Sequence, residues 1–391
     1  MKIGIVAGEA SGDFLGSLLI KALRSHHPQL RFVGIAGPLM QGVGAISWHP
    51  MEKLAVRGYV EVLKSYRELR GIRAKLIERF VAEPPDVFIG VDSPDFNLGL
   101  ETALKKRGIP TIHYVSPSIW AWRGERINKI GAAVSKILTL FPFEAALYEK
   151  AGIPVAYVGH PLADVIAEVP DKDSAREQIR LNHPSHVIAL LPGSRQTELD
   201  YHADLFIDTA REILKALPAA HFLVPLATRA TRDQFETALY RQAATQLPIT
   251  VLFGHAQLAL TAADAALVAS GTATLETALL KCPMVITYRM SKLTYRLMKS
   301  KGYLPYVGLP NVLAGEFIVP ELLQDDATAK NLAQALVNQL CHERVVKQLV
   351  ERFTGIHRAL KQNNAARVAE AILPFLPLAP RSPTAAIGAS A

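Results

Sequence analysis

The sequence predicts an α/β protein of two Rossmann-like, doubly wound domains that face across a cleft. Three observations carry this expectation. Short, apolar, β-branched runs alternate with helical stretches, the pattern of strands buried on both faces of a parallel sheet; Val87-Phe88-Ile89-Gly90-Val91 is the clearest. Several such runs end in small polar or glycine turns that open a helix, which is where open α/β sheets gather their ligands. The alternation lapses in a polar stretch, 167–184, and restarts at His186. With 391 residues the chain is long for a single core, which fits two domains. The expected division is 1–170 for the first domain, 185–355 for the second, a C-terminal helix over 356–373 and a disordered tail over 374–391.

A formal charge of +8 favours anionic partners: phosphorylated substrates, nucleic acid or an acidic membrane surface. Cys282 and Cys341 stand far apart and outside any metal-spaced motif. That points to a reducing compartment and away from structural zinc or a disulfide framework. The opening apolar stretch is too short for a signal peptide and reads as a first strand. No run approaches the roughly 18 apolar residues of a spanning helix.

Taken in order, the first strand leads into Gly8-Glu9-Ala10-Ser11-Gly12-Asp13 and a helix with Leu15, Leu18, Leu19 and Leu23. Such a turn can receive an anion at the helix start, and a turn that merely needs glycine dihedrals accounts for it equally well. It lacks the Gly-x-Gly-x-x-Gly spacing, so a nicotinamide cofactor is not supported. A second strand follows over 32–36. The helix expected over 59–80 has a wide apolar side, including Val60, Leu63, Tyr66 and Leu69, interleaved with Lys64, Arg67 and Arg70. A core helix with a solvated basic face and an interfacial helix on anionic lipid both fit that pattern.

In the central β-α-β unit, Ser93 and Pro94 signal a helix start, with the serine hydroxyl as cap. Phe96, Leu100 and Leu104 supply the helical period, and Gly108 with Pro110 ends it. Asp92 thus sits just past the carboxyl end of a buried strand, as a functional group or as a turn-former. The segment Ser116-Pro117-Ser118-Ile119-Trp120-Ala121-Trp122-Arg123 leaves the next strand at the same end. Strands are expected over 136–140 and 155–158, with His160 before Pro161 as a turn residue. In the second domain, strands over 186–191, 222–226, 249–253 and 266–269 alternate with helices. Gly193-Ser194-Arg195 follows the first of these strands and Ser270-Gly271-Thr272-Ala273-Thr274-Leu275-Glu276 the last. The N–H groups of a helix start there can hold a diphosphate, and Glu276 can accept from two ribose hydroxyls; plain capping is the competing account.

Five of these stretches, around Gly8 to Asp13, Gly90 to Asn97, Ser116 to Arg123, Leu191 to Arg195 and Gly271 to Glu276, together resemble the lipid-A-disaccharide synthase family. The resemblance covers nearly the whole chain up to the proline-rich tail. It implies a GT-B glycosyltransferase that joins UDP-2,3-diacylglucosamine to 2,3-diacylglucosamine 1-phosphate, with inversion to a β-1,6 linkage and release of UDP. It also implies that the second domain holds the UDP-sugar through Gly193, Ser194, Arg195, Ser270, Gly271, Thr272, Thr274, Glu276 and Asn311. Glu9, Ser11, Gly12, Trp120 and Arg123 then lie on the acceptor side. One departure is Glu316, where a basic residue is expected after Ala314-Gly315.

Inverting transfer needs a base for the acceptor hydroxyl and help for the departing diphosphate. Asp92, with Asp95 as its neighbouring alternative, supplies the first; Arg195 and the helix start at Ser270 to Thr272 supply the second. No cofactor and no metal are expected, and no nucleic acid partner. The anionic membrane surface is the expected partner of Val60, Leu63, Tyr66 and Leu69, on the cytoplasmic face of the inner membrane; a homodimer is left open. Two rival readings stand beside this one: another GT-B enzyme such as a UDP-N-acetylglucosamine epimerase, and a non-catalytic nucleotide-binding protein at a membrane surface.

Overall fold

The computed structural model describes residues 1–54, 59–121, 124–181, 186–299 and 304–377, with only the backbone for 59–66, 293 and 297–299. It forms two compact units, Met1–Pro161 with Gln362–Ala391, and Leu162–Lys361. The first unit holds seven parallel strands: β1 (Lys2–Ala7), β2 (Arg31–Ile35), β3 (Ala45–Ser47), β4 (Val87–Val91), β5 (Thr111–Tyr114), β6 (Lys136–Thr139) and β7 (Val155–Tyr157). Their order is β3-β2-β1-β4-β5-β6-β7. The second unit holds β8 (His186–Leu191), β9 (Ala220–Leu226), β10 (Ile249–Phe253), β11 (Ala265–Ala269), β12 (Met284–Tyr288) and β13 (Glu321–Leu323), ordered β10-β9-β8-β11-β12-β13. Each sheet therefore reverses direction once, between β1 and β4 and between β8 and β11. At these switch points Ala7 pairs with Val91, and Leu191 with Val268. The expected α/β architecture of two doubly wound sheets is what the chain adopts.

The central strands are apolar because helices cover both faces. Every residue of β4 and of β11 is buried, and each large apolar side chain so buried stabilises by about 1.5–3 kcal/mol. The helix Tyr59–Ala82 serves this core over its second half. Ile72, Leu76 and Phe80 are buried at helical spacing, and Leu69 packs against the same cluster. Leu69 is thus core-facing, which corrects its assignment to a membrane surface; the side chains of Val60, Leu63 and Tyr66 lie outside the described residues.

Other expectations are also revised. The chain leaves the first unit at Pro161, not within 167–184. That polar stretch contains the helix Lys172–Ile179, capped by Asp171 and tied to the second unit by ion pairs from Lys172 and Arg176 to Asp264. The helix Glu343–Leu360 belongs to the second unit, whereas Asn364–Ile372 returns to the first. There the Tyr114 hydroxyl donates to Asn364, whose amide in turn donates to the Gly159 carbonyl. The supposed tail begins packed, with Leu376 buried in the first core; residues 378–391 lie outside the described residues. Strands β3, β12 and β13 were not anticipated.

Candidate functional site

The first switch point is built by Gly8, Asp92 and the residues beneath them. Asp92 and Ser93 both take left-handed backbone angles, φ +52° and +46°, a costly pair for non-glycine residues. Ser93 starts the helix Pro94–Lys105 but does not cap it with its hydroxyl, contrary to expectation. The left-handed turn points that oxygen inward, where it is buried without a hydrogen-bond partner among the described residues. Gly8 makes room for it: a Cβ on Gly8 would stand 2.3 Å from Ser93 Oγ. Asn97, fully buried, holds the turn from below by donating to the carbonyls of Asp92 (2.8 Å) and Val6 (3.3 Å).

One turn further along that helix, Glu101 meets His113 of β5 at 2.7 Å, both wholly buried. Burial holds the Glu101 carboxyl above the ordinary range while His113 opposes it. Asp95, the alternative to Asp92, is 81% exposed and paired with Arg126 at 2.6 Å. Around the same edge, Glu9 begins the helix Ala10–His26, Ser11 is exposed, and Gly12 backs onto the Val91 carbonyl.

The loop after β5 sets off from Val115, a β-branched residue at φ +84°. Trp120 in this loop donates its indole N–H to Glu144 (3.1 Å) and packs edge-on against Phe143. Arg123 and Trp122 lie outside the described residues. Glu144 itself was missed by sequence reasoning, its only local signal being its position three residues after Phe141 at a helix start.

The second switch point is assembled differently. Gly193, at φ +132°, lets the chain pass over Glu198, and a Cβ there would lie 2.6 Å from that side chain. The Glu198 carboxylate accepts from the backbone N–H groups of Ser194 (2.8 Å) and Arg195 (3.3 Å), capping the helix Gln196–Ala216. Arg195 also touches Glu198 at 3.3 Å but remains 47% exposed, so the pair is worth about 1 kcal/mol or less. His202, fully buried and unanticipated, bridges two loops. Its Nε2 accepts from the Arg289 N–H, so Nδ1 carries the proton and donates to the Pro192 carbonyl. Burial depresses its pKa, which keeps this neutral form.

Beside it, Ser270 and Gly271 precede the helix Thr272–Leu279. The Ser270 hydroxyl donates to Val307, and the Thr274 hydroxyl donates to the Gly271 carbonyl while accepting from Leu309. Glu276 borders a cavity of about 690 Å³ together with His255, Gln257 and Ser174. Burial raises its pKa, and a hydrogen bond from Gln257 opposes that. Asn311 departs from its expected role as a ligand contact. Its amide donates to Val319 and Glu321, and its oxygen accepts from Ile318 and Val319, which uses the side chain's whole capacity. It holds the loop that carries Val307 and Gly308, whose N–H groups bind Glu321. Glu316 pairs with Arg352.

Comparison with known proteins bears on this geometry. The family model for lipid-A-disaccharide synthetase matches residues 3–373. The chain is 57% identical to the lipid-A-disaccharide synthase of Chromobacterium violaceum over 373 residues, covering 95% of this chain and 97% of that protein. It is likewise 57% identical to that of Dechloromonas aromatica over 377 residues, covering 96% and 99%. Among solved structures, the UDP-GlcNAc 2-epimerase of Neisseria meningitidis bound to UDP-GlcNAc superimposes with a TM-score of 0.62 at 12% identity, covering 96% and 99% of the two chains. The calicheamicin glycosyltransferase CalG4 gives 0.59 at 14% identity, covering 97% and 99%. The shared fold is GT-B, common to transferases and epimerases, so fold alone does not choose between them. The full-length match at high identity does: the chain belongs to the lipid-A-disaccharide synthase family, glycosyltransferases of lipid A biosynthesis.

Proposed function

We propose that the first unit supplies the base and the acceptor side, and the second unit binds the nucleotide of the donor. The donor is UDP-2,3-diacylglucosamine and the acceptor 2,3-diacylglucosamine 1-phosphate. Asp92 accepts the proton of the acceptor 6-hydroxyl as its oxygen attacks the anomeric carbon. The bond from that carbon to the UDP oxygen breaks on the opposite face, inverting the configuration. The charge that builds on the diphosphate is met by Arg195 and by the backbone N–H groups at Ser270 to Thr272. Glu276 accepts from the ribose hydroxyls, and Gly193 keeps the turn low enough for approach. Thr274 and Asn311 act from behind, by fixing the loops.

The observation that carries this reading is the strained turn at Asp92. Two successive left-handed residues persist only where surroundings over-determine them, and here Asn97, Gly8 and the β1–β4 junction do so. Asp95 is engaged with Arg126 instead. Glu9, Ser11, Gly12, Trp120 and Arg123 form the acceptor side in this scheme. The charge of +8 suits acylated, phosphorylated substrates drawn from a membrane. Among the described residues no helix is long and apolar enough to cross one. Peripheral binding to the cytoplasmic face of the inner membrane, through Val60, Leu63 and Tyr66, completes the proposal.

The test is turnover with both acylated sugars, read as UDP release. Asp92→Asn keeps shape and removes the proton acceptor, so turnover should fall about 100-fold or more, while Asp95→Asn stays near wild type. A dead Asp95→Asn beside an active Asp92→Asn moves the base to Asp95. With Arg195 and helix starts carrying the leaving charge, EDTA should leave turnover unchanged; loss with EDTA and recovery with magnesium would show those groups to be insufficient.

A further inference from the structure

Outside the switch points, a buried polar cluster of the first unit joins the carboxyl ends of β5, β6 and β7. At its centre is Glu144, 2% exposed. One carboxylate oxygen accepts the Trp120 indole N–H at 3.1 Å and the other the Phe141 backbone N–H at 3.0 Å. The Ser116 hydroxyl also lies against this carboxylate and shares a 2.8 Å hydrogen bond with the buried Tyr148 hydroxyl. Phe141 stacks on His160, which burial keeps neutral at ordinary pH, its pKa pushed down to about 4. Phe143 closes the cluster against the edge of Trp120. Among the described residues, the groups facing Glu144 are thus Ser116 and Trp120 from the loop after β5, Tyr148 from its own helix, and the backbone at Leu140 and Phe141. None of these is a cation.

We infer that Glu144 is a positioning residue for the acceptor side, holding the loop of Ser116 to Ala121 in place through the Trp120 indole. The inference rests on the reading of Trp120 as acceptor-side. Three features support it. A buried carboxylate is costly unless its acceptor sites are used, and here the partners that use them belong to that loop and to the Phe141 turn. Plain capping of the helix Pro142–Lys150 needs the Phe141 contact alone and gives no reason for a bond to an indole 24 residues away. The loop also leaves β5 through the strained Val115, so its path is imposed by tertiary contacts rather than by its own preference. Burial pushes the Glu144 pKa up to about 7, against the pull of these hydrogen bonds, so the charged form depends on the donors that the loop and the Phe141 turn supply.

The experiment compares Glu144→Gln, Trp120→Phe and the double variant, with KM measured separately for diacylglucosamine 1-phosphate and for UDP-diacylglucosamine. Thermal melts confirm folding, and the indole N–H resonance of Trp120 is assigned by its loss in Trp120→Phe. The expected result is an acceptor KM raised about fivefold or more in each single variant and no further in the double, because both break one contact. The donor KM stays unchanged, and the Trp120 resonance shifts in Glu144→Gln. An unshifted resonance with a normal acceptor KM in Glu144→Gln, while Trp120→Phe raises that KM, overturns the role of Glu144 and leaves the acceptor reading standing. A normal acceptor KM in Trp120→Phe itself overturns the acceptor reading and the inference with it.

Discussion

The two units repeat one topology and finish it in opposite ways. At the β1–β4 junction the chain is strained and the polar groups beneath it are buried: Asp92 and Ser93 are left-handed, Asn97 grips the turn, and Glu101 with His113 lies below. At the β8–β11 junction the loops satisfy themselves. Glu198 caps the N–H groups of Ser194 and Arg195, Thr274 and Asn311 tie down the neighbouring turns, and Arg195 and Glu276 are left facing outward or toward a cavity. A base must be aimed to within a fraction of an ångström, and strain held by packing does that. A nucleotide site needs donors that a ligand can take over, and a weak surface pair such as Arg195 with Glu198 can be exchanged for a diphosphate at small cost. In the proposed function the strained junction carries the chemistry and the exchangeable one the affinity.

The largest expected effect concerns buried charge in the first unit. With its pKa raised to about 7, Glu144 keeps in the folded state a proton that the unfolded chain releases above roughly pH 4.5. Its contribution to stability therefore declines as pH rises from about 4.5 to 7 and is flat above that, by up to about 3 kcal/mol. His160 works the other way: with its pKa lowered to about 4, its contribution is lost as pH falls from about 6.5 to 4. Wild-type melts alone mix the two, so the informative quantity is the Tm difference between wild type and Glu144→Gln at pH 5 and pH 8. The variant should gain relative to wild type on going to pH 8; a constant difference would mean that burial does not raise the Glu144 pKa.

Next in size is Gly8→Ala. The added methyl cannot share space with Ser93 Oγ, so the Asp92 turn must shift, and displacement near 1 Å costs about 100-fold in turnover. UDP affinity should be untouched; a drop in both would argue against independent junctions. Arg195→Ala and Glu276→Ala should each weaken UDP binding about tenfold in calorimetry, the loss of one charge-assisted contact. Unchanged affinity in both would move the donor site elsewhere. The smallest effect belongs to the helix Tyr59–Ala82. Val60→Ser with Leu63→Ser should lower sedimentation with anionic vesicles a few-fold without changing UDP affinity, whereas lost cooperativity in melts would mark the pair as core.

Much of this was legible because it is local. Apolar runs of four to seven residues, punctuated by glycine and small polar turns, gave the doubly wound sheets and put Asp92, Gly193 and Ser270 at strand ends. What was not legible depends on distant partners. Nothing in Ser93-Pro94 says that the serine turns left-handed instead of capping, since that follows from Gly8, 85 positions earlier, and from the Asn97 grip. The polar stretch around Asp171 to Arg176 reads as a linker until Asp264 is known to receive Arg176. Asn311 looks like a ligand contact until its four internal hydrogen bonds are seen, and Glu144 looks like an ordinary helix-start acid until Trp120 is found on it. His202 carries no signal beyond sitting one turn after Glu198. Leu69 fitted two apolar faces at once, and only its packing against the first unit's core decides between them.

The division of labour between the two junctions is tested most directly by a double-mutant cycle on UDP affinity, using wild type, Asp92→Asn, Arg195→Ala and the double variant. Asp92→Asn should bind UDP as wild type does. Arg195→Ala should weaken it about tenfold, and by the same factor in the Asp92→Asn background, with a coupling energy within about 0.5 kcal/mol of zero, as for independent sites. A tenfold loss of UDP affinity from Asp92→Asn alone, or an Arg195 effect that disappears in its background, would contradict the account.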